Sequence, residues 1–142
     1  MKMPELKPGM SSSIQKVITK KDTALNFGSG ALTSLLATPT LAALMIDAAV
    51  KTIDPLLPDG IITIGKSLKV EHVKPTLEGM TVTVNAKLIE VNCTRMLFEI
   101  TAYDEAGQIG TGYHERYLVN YNKLMDNVNE RCGVVQGISG DC

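Results

Sequence analysis

The sequence has no excess of charge of either sign. Its 14 Lys and Arg stand against 15 Asp and Glu, a formal net charge of -1 over 142 residues. The basic residues are scattered, with Lys20 and Lys21 the only adjacent pair. Nothing in that balance recommends nucleic acid or an anionic membrane as a partner. Cysteine is scarce as well: there are 3, with no CxxC pair and no Cys/His cluster at zinc-like spacing. Cys93 falls in a predicted turn, and Cys132 and Cys142 fall near the C-terminus. Reduced thiols and a cytoplasmic protein are the expectation. Residues 1–10 lack the apolar run of a signal peptide. The longest nearly uncharged apolar stretch, residues 27–46, approaches the length of a membrane span. Gly28, Ser29, Gly30, Thr33, Ser34 and Pro39 interrupt it, and Asp47 and Lys51 follow, so it predicts a buried helix behind a loop. There is no internal repeat and no low-complexity tract.

The patterns that are present suit one α+β domain over residues 1–120, followed by a short C-terminal extension over 121–142. The main helix is predicted to start at Thr38, an N-cap residue, with Pro39 at the first helical position. It runs to about Ile53, before Pro55 and Pro58. Thr40, Asp47, Lys51 and Asp54 fall on one narrow stripe, and the rest of the girth is apolar. Such a helix is expected to be wrapped on nearly all sides. Strands are predicted over 13–19, 61–73, 80–91, 95–103 and 108–119, the last three forming an antiparallel meander. In the second strand Ile62, Ile64, Leu68, Val70 and His72 are expected on one face, with Lys66 interrupting. Gly110 and Gly112 permit strong curvature in the last. Residues 121–131 suggest a short helix and 133–142 a mobile tail.

Three residues are candidates for chemistry. His72 points toward the helix, where an imidazole must find a partner or bear its desolvation; it is either a satisfied core or interface histidine or a general acid–base. Thr38 is either an N-cap alone or a hydroxyl placed where a helix N-terminus stabilises a developing oxyanion. Gly65 is either a bulge or a backbone N–H presented to a ligand carbonyl. Asp47 is expected to pair with Lys51 one turn on. His114 and Glu115 point to opposite faces and are no dyad. The Gly28, Ser29, Gly30 run lacks the Lys-Ser or Lys-Thr of a phosphate loop.

Residues 28–50, residues 65–72, PTLEGM at 75–80 and YDEAGQIGTGYHERYLV at 103–119 resemble the fluoroacetyl-CoA-thioesterase-like group of hot-dog proteins. The resemblance covers roughly residues 10–119. Its signature is the combination of the Ala37-Thr38-Pro39 helix start, the strand histidine and the DEAG turn. It implies a hot-dog fold, a curved five-stranded antiparallel sheet wrapped around one long helix. It also implies a homodimer or higher homo-oligomer with active sites at the dimer interface, and an acyl-CoA thioester as substrate. By position it implies catalytic roles for Thr38 and His72, and substrate binding by the Gly65 N–H. The family's helix glutamate is replaced by Ile46, which can act neither as nucleophile nor as base.

Two functions follow from the resemblance. One is an acyl-CoA thioesterase for small or medium acyl groups with an atypical site, its water activated by His72 or by another carboxylate. The other is a non-catalytic acyl-CoA-binding or sensing protein. A hydratase on this fold would pair an aspartate with a histidine a few residues on, and no such pair is evident. No metal and no tightly bound cofactor is implied, coenzyme A entering as part of the substrate. Its phosphates need cations, for which Lys66, Lys69, Lys74 and Arg95 are available. Leu32, Leu35 and Leu36 argue against a highly charged acyl group.

Overall fold

The structure, a computed structural model, describes residues 3–139, with side chains described to residue 133. Its regular elements are β1 (Ser11–Val17), α1 (Thr38–Ile53), β2 (Ile61–His72), β3 (Thr81–Asn92), β4 (Arg95–Asp104), β5 (Gly107–Asn120) and α2 (Tyr121–Ser139). The five strands form one antiparallel sheet in the order β1-β3-β4-β5-β2, with α1 packed on one of its faces. Strands β1 and β2 are its edges. This is the α+β hot-dog arrangement. No helix among the described residues is long and apolar enough to cross a membrane.

Alternation decides which side of each strand meets α1. Val82, Val84, Ala86 and Leu88 of β3 and Met96, Phe98, Ile100 and Ala102 of β4 are all fully buried against Leu41, Met45, Ala48, Ala49 and Ile53 of α1. Each large aliphatic side chain so buried contributes about 1.5–3 kcal/mol. On β5 the inward positions near the start of α1 are Gly110 and Gly112. A Cβ on Gly110 would stand 2.7 Å from the Glu71 carbonyl oxygen and 3.2 Å from Leu41, and one on Gly112 would stand 2.8 Å from the Met45 sulfur. The glycines thus let the first half of α1 lie directly on β5 and β2.

Several expectations need correction. Strand β2 does not keep one face: its register against β5 shifts between Gly65 and Ser67, with Lys66 as the extra residue. Thr63 is buried before the bulge, and Leu68, Val70 and His72 turn inward after it. Ile62 and Ile64 therefore lie on the outer face, because an inserted residue reverses the parity of all that follow. Helix α1 is not wrapped on nearly all sides. Pro39 and Ala43 are exposed and Ile46 and Val50 half-buried, leaving an apolar stripe that the single sheet of one chain does not reach. Lys51 donates to the Ser13 carbonyl of β1 at 2.8 Å instead of pairing with Asp47, and Asp54 accepts from Thr63 instead of joining an exposed stripe. Helix α2 continues to Ser139 through residues expected to be a tail; residues 140–142, with Cys142, lie outside the described residues. Cys93 and Cys132 are free and exposed.

Candidate active site

The chain enters α1 through a short three-layered crossing. Leu36 bridges Thr23 on one side, while Leu35 bridges Leu77 on the other. The Leu36 N–H donates to the Thr76 carbonyl at 2.8 Å and the Ala37 N–H to the Asp22 carbonyl at 2.9 Å. Asp22 is itself held: its carboxylate accepts from the Thr19 N–H at 2.8 Å, the Thr19 hydroxyl at 3.0 Å and Lys16 Nζ at 2.7 Å. Burial alone would raise the Asp22 pKa, but the bonds from Lys16 and Thr19 outweigh it and hold the carboxyl below its ordinary range. The residue before Thr38 is thereby fixed from both sides.

Thr38 is not the N-cap. That position is Ala37, which offers no side-chain cap, and Thr38 is the first residue of the helix. Its hydroxyl goes elsewhere: Oγ1 lies 2.9 Å from Nδ1 of His72. His72 ends β2 opposite Gly110, turned inward by the bulge upstream. Its Nε2 is buried and has no hydrogen-bond partner among the described residues. Burial lowers the His72 pKa, with the main chain of Lys74 opposing it, so the ring is neutral near pH 7. A neutral imidazole with one nitrogen on a hydroxyl and the other unsatisfied is equipped to exchange a proton.

The pair borders a cavity of about 420 Å³ whose wall is mostly apolar, with Phe27, Leu32, Leu36, Val73 and Pro75 among its residues. Phe27 and Leu32 stand at its rim, well exposed. A second cavity of about 390 Å³, lined by Asp104, Gly107, Gln108 and Ile109, adjoins the first across Lys74 and Pro75. Lys74 is the one of the four candidate cations that borders either cavity. Lys66 lies over the Tyr117 ring, Lys69 sits 3.8 Å from Glu71, and Arg95 is bonded to Glu115 and Glu90. Among the described residues no three His, Cys, Asp or Glu side chains are grouped as a metal site would need.

Gly65 and Ile46 do not join Thr38 and His72 within the chain. Gly65 lies at the bulge, roughly 20 Å of extended strand away from His72. Ile46 lies about two helical turns, roughly 12 Å, beyond Thr38. Beside Gly65 is a buried polar cluster missed in the sequence. His114 Nδ1 is 2.8 Å from the Ser67 carbonyl oxygen, and its Nε2 is 3.1 Å from Arg116 Nη1. Arg116 donates through Nε to the Thr63 hydroxyl and through Nη2 to the Thr63 carbonyl, both at 2.8 Å. The period of two was the available signal: positions 110, 112, 114 and 116 of β5 all face inward, which puts His114 with Arg116 and not with Glu115.

Residues 18–122 match the family described as fluoroacetyl-CoA-specific thioesterase. The chain is 33% identical over 97 residues to the fluoroacetyl-CoA thioesterase of Streptantibioticus cattleyicolor, covering 68% of this chain and 70% of that one. A thioesterase superfamily member from Thermus thermophilus superposes with a TM-score of 0.83 at 28% identity, over 93% of this chain and 99% of that one. A Thr-to-Ser variant of the fluoroacetyl-CoA thioesterase FlK in complex with acetyl-CoA superposes with a TM-score of 0.82 at 26% identity, over 89% and 98%.

Proposed function

Because the chain belongs to the fluoroacetyl-CoA-specific thioesterase family, we propose that it hydrolyses the thioester of a small or medium acyl-CoA, with Thr38 and His72 as its catalytic residues. The observation that carries this reading is the Thr38–His72 contact at 2.9 Å with the opposite ring nitrogen, Nε2, left unsatisfied. In the tautomer we favour, Nδ1–H donates to Thr38 Oγ1. The Thr38 O–H is then free to donate to the thioester carbonyl, beside the unbonded N–H groups of the first turn of α1. Nε2 keeps its lone pair and takes a proton from water as the water attacks the carbonyl carbon. The tetrahedral intermediate collapses with loss of the coenzyme A thiolate, which recovers the proton from His72. The largely apolar 420 Å³ cavity suits an uncharged acyl group, and Lys74 at the junction of the two cavities suits a coenzyme A phosphate.

A second copy of the chain would complete the site. Edge strand β2 has unpaired backbone groups and α1 has the uncovered stripe Pro39, Ala43, Ile46 and Val50. Antiparallel pairing of β2 with its copy about a centre near Leu68 and Lys69 brings the Gly65 of one protomer to the His72 of the other. In that homodimer the Gly65 N–H would serve the thioester carbonyl. Ile46 favours a second function: with no carboxylate at that position, the chain would bind acyl-CoA without turning it over.

One preparation decides between them. Hydrolysis of short, medium and aromatic acyl-CoAs is measured beside binding of coenzyme A and of a non-hydrolysable analogue. Turnover that His72→Ala abolishes supports the thioesterase. Tight binding with no turnover supports the sensor. Neither binding nor turnover overturns both.

A further inference from the structure

His72 faces Thr38 because of a residue that has no part in the site. With Thr63 turned inward, unbroken alternation along β2 would carry residues 65, 67, 69 and 71 inward and send His72 out to the opposite face. The extra residue at Lys66 reverses the phase, and Leu68, Val70 and His72 turn inward. A bulge in an edge strand is not self-supporting, since the inserted residue is unpaired and the ladder is interrupted beside it. Something must keep the strand from slipping back into register.

A buried cluster on β5 lies beside the bulge. It grips β2 on both sides of the inserted residue. Upstream, Arg116 holds the Thr63 carbonyl and hydroxyl; downstream, His114 holds the Ser67 carbonyl. The Arg116–His114 contact at 3.1 Å ties the two grips into one unit. Gly65 leaves room for it: a Cβ there would stand 3.2 Å from His114 Cε1 and 3.3 Å from Arg116 Nη1. Asp54, at the end of α1, accepts from the Thr63 N–H and hydroxyl and ties the upstream grip to the helix. His114 is 2% exposed and Arg116 7%, so these bonds form away from water, where losing one leaves a partner unsatisfied. Because Nδ1 of His114 donates to Ser67, Nε2 must accept from Arg116, and the ring is held neutral in one tautomer.

We propose that His114 and Arg116 are positioning residues: they lock the bulge at Lys66 and so set the phase of β2 that presents His72 to Thr38. They would act on catalysis through the His72 of their own chain, which lies seven residues along β2 from Gly65. A strand out of phase does not weaken the Thr38 contact gradually; it removes it.

The chain has 2 histidines, which makes the test direct. In ¹⁵N-labelled protein, His72 is expected to hold a single neutral tautomer, with Nδ1 bonded. In His114→Leu the one remaining imidazole is expected to average between tautomers as a free ring does. His114→Asn, whose amide can still donate to the Ser67 carbonyl, is expected to restore the single tautomer. The kinetic arm rests on the thioesterase reading: kcat should fall roughly 10²-fold in His114→Leu with little change in KM. If the wild-type protein turns over nothing, that reading fails, while the imidazole signals still judge the lock. A folded His114→Leu protein whose His72 keeps its tautomer overturns the proposal. Should His114→Leu not fold, Arg116→Lys keeps the buried charge but loses the forked grip on the Thr63 hydroxyl and carbonyl. Averaging of the His72 signals is then expected, and an unchanged tautomer overturns the proposal equally.

Discussion

The Thr38 hydroxyl and the His72 Nδ1 meet at 2.9 Å across 34 positions of sequence, and the hydroxyl does not cap the helix that Thr38 begins. This separates function from stability at a residue where the two are usually confounded. An N-cap threonine replaced by alanine costs about 1 kcal/mol. Thr38→Ala should cost less than about 0.5 kcal/mol, in the range of ordinary surface substitutions, while hydrolysis falls about 10²–10⁴-fold. His72→Ala should reduce turnover to a similar degree. Urea unfolding and initial rates on the same samples check both halves. A loss of stability near that of a cap, with turnover intact, would return Thr38 to a purely structural role.

The two histidines share a sign of pH dependence. Burial lowers the pKa of His72, and burial together with the Arg116 charge lowers that of His114, each below the ordinary imidazole value of 6.5. The unfolded chain therefore binds protons that the folded chain refuses. Their contribution to stability is complete above about pH 6.5 and is lost as pH falls through the lower folded values. The base form of His72 is lost over its own folded pKa, so the acid limb of kcat should fall below 6.5. Rates and urea unfolding from pH 8 to pH 5 test this. An acid limb above 6.5, or stability that does not change over that range, would contradict it.

Asp22 acts at lower pH and through position alone. Its folded pKa lies below the ordinary carboxyl value of 3.8, so its contribution is present above about that pH and is lost as pH falls through the folded value. At pH 7, Asp22→Asn weakens the bonds from Lys16 and Thr19 and should lower stability by about 1–3 kcal/mol. The Asp22 carbonyl also holds Ala37 beside Thr38, so turnover should fall with it. The stability difference between the two proteins should shrink as pH falls below 3.8; a difference independent of pH would mean the carboxylate charge is not what matters.

Gly110 sets how closely the helix sits over His72. A methyl group there meets the Glu71 carbonyl oxygen at 2.7 Å and Leu41 at 3.2 Å. Backbone cannot yield as a side-chain tip can, so Gly110→Ala must push β2 or α1 outward and separate Thr38 from His72. A loss of about 1–3 kcal/mol is expected from overpacking, with a fall in turnover larger than that of an equally destabilising substitution on the β1 side of the core. Equal falls for the two would mean that Gly110 serves stability only.

The parts of the fold that are legible in the sequence are those where one face is apolar and the period is unbroken. Val82 to Leu88 and Met96 to Ala102 alternate without a fault, and Pro55 and Pro58 leave α1 nowhere to continue. Strand β2 is harder because Ile62 and Ile64 are as apolar as Leu68 and Val70, so composition gives no hint that the phase reverses at Lys66. Thr38 followed by Pro39 fits a cap and a first helical residue equally well. What decides is a histidine on a distant strand, and no local pattern carries that. His114 and Arg116 were hidden by adjacency: Glu115 beside His114 draws attention to a neighbour on the other face, while the true partner is one residue further on.

Ile46 gives the strongest test of assembly. It lies on the half-buried apolar stripe of α1, roughly 12 Å along the helix from the Thr38 of its own chain. A carboxylate placed there is too far along α1 to serve its own His72, so any gain it brings would come at the His72 of a second copy paired through β2. Ile46→Glu should then raise turnover, by up to about 10²-fold if the carboxylate acts as a general base, at some loss of stability on the apolar stripe. Mixing discriminates between the two geometries. A chain carrying both Ile46→Glu and His72→Ala has no competent histidine, and the wild-type chain has no carboxylate at position 46. Mixed dimers of these two should be more active than either parent, because one site joins the new carboxylate of one chain to Thr38 and His72 of the other. Activity no higher than the average of the parents would place any completed site within a single chain and remove the two-fold arrangement.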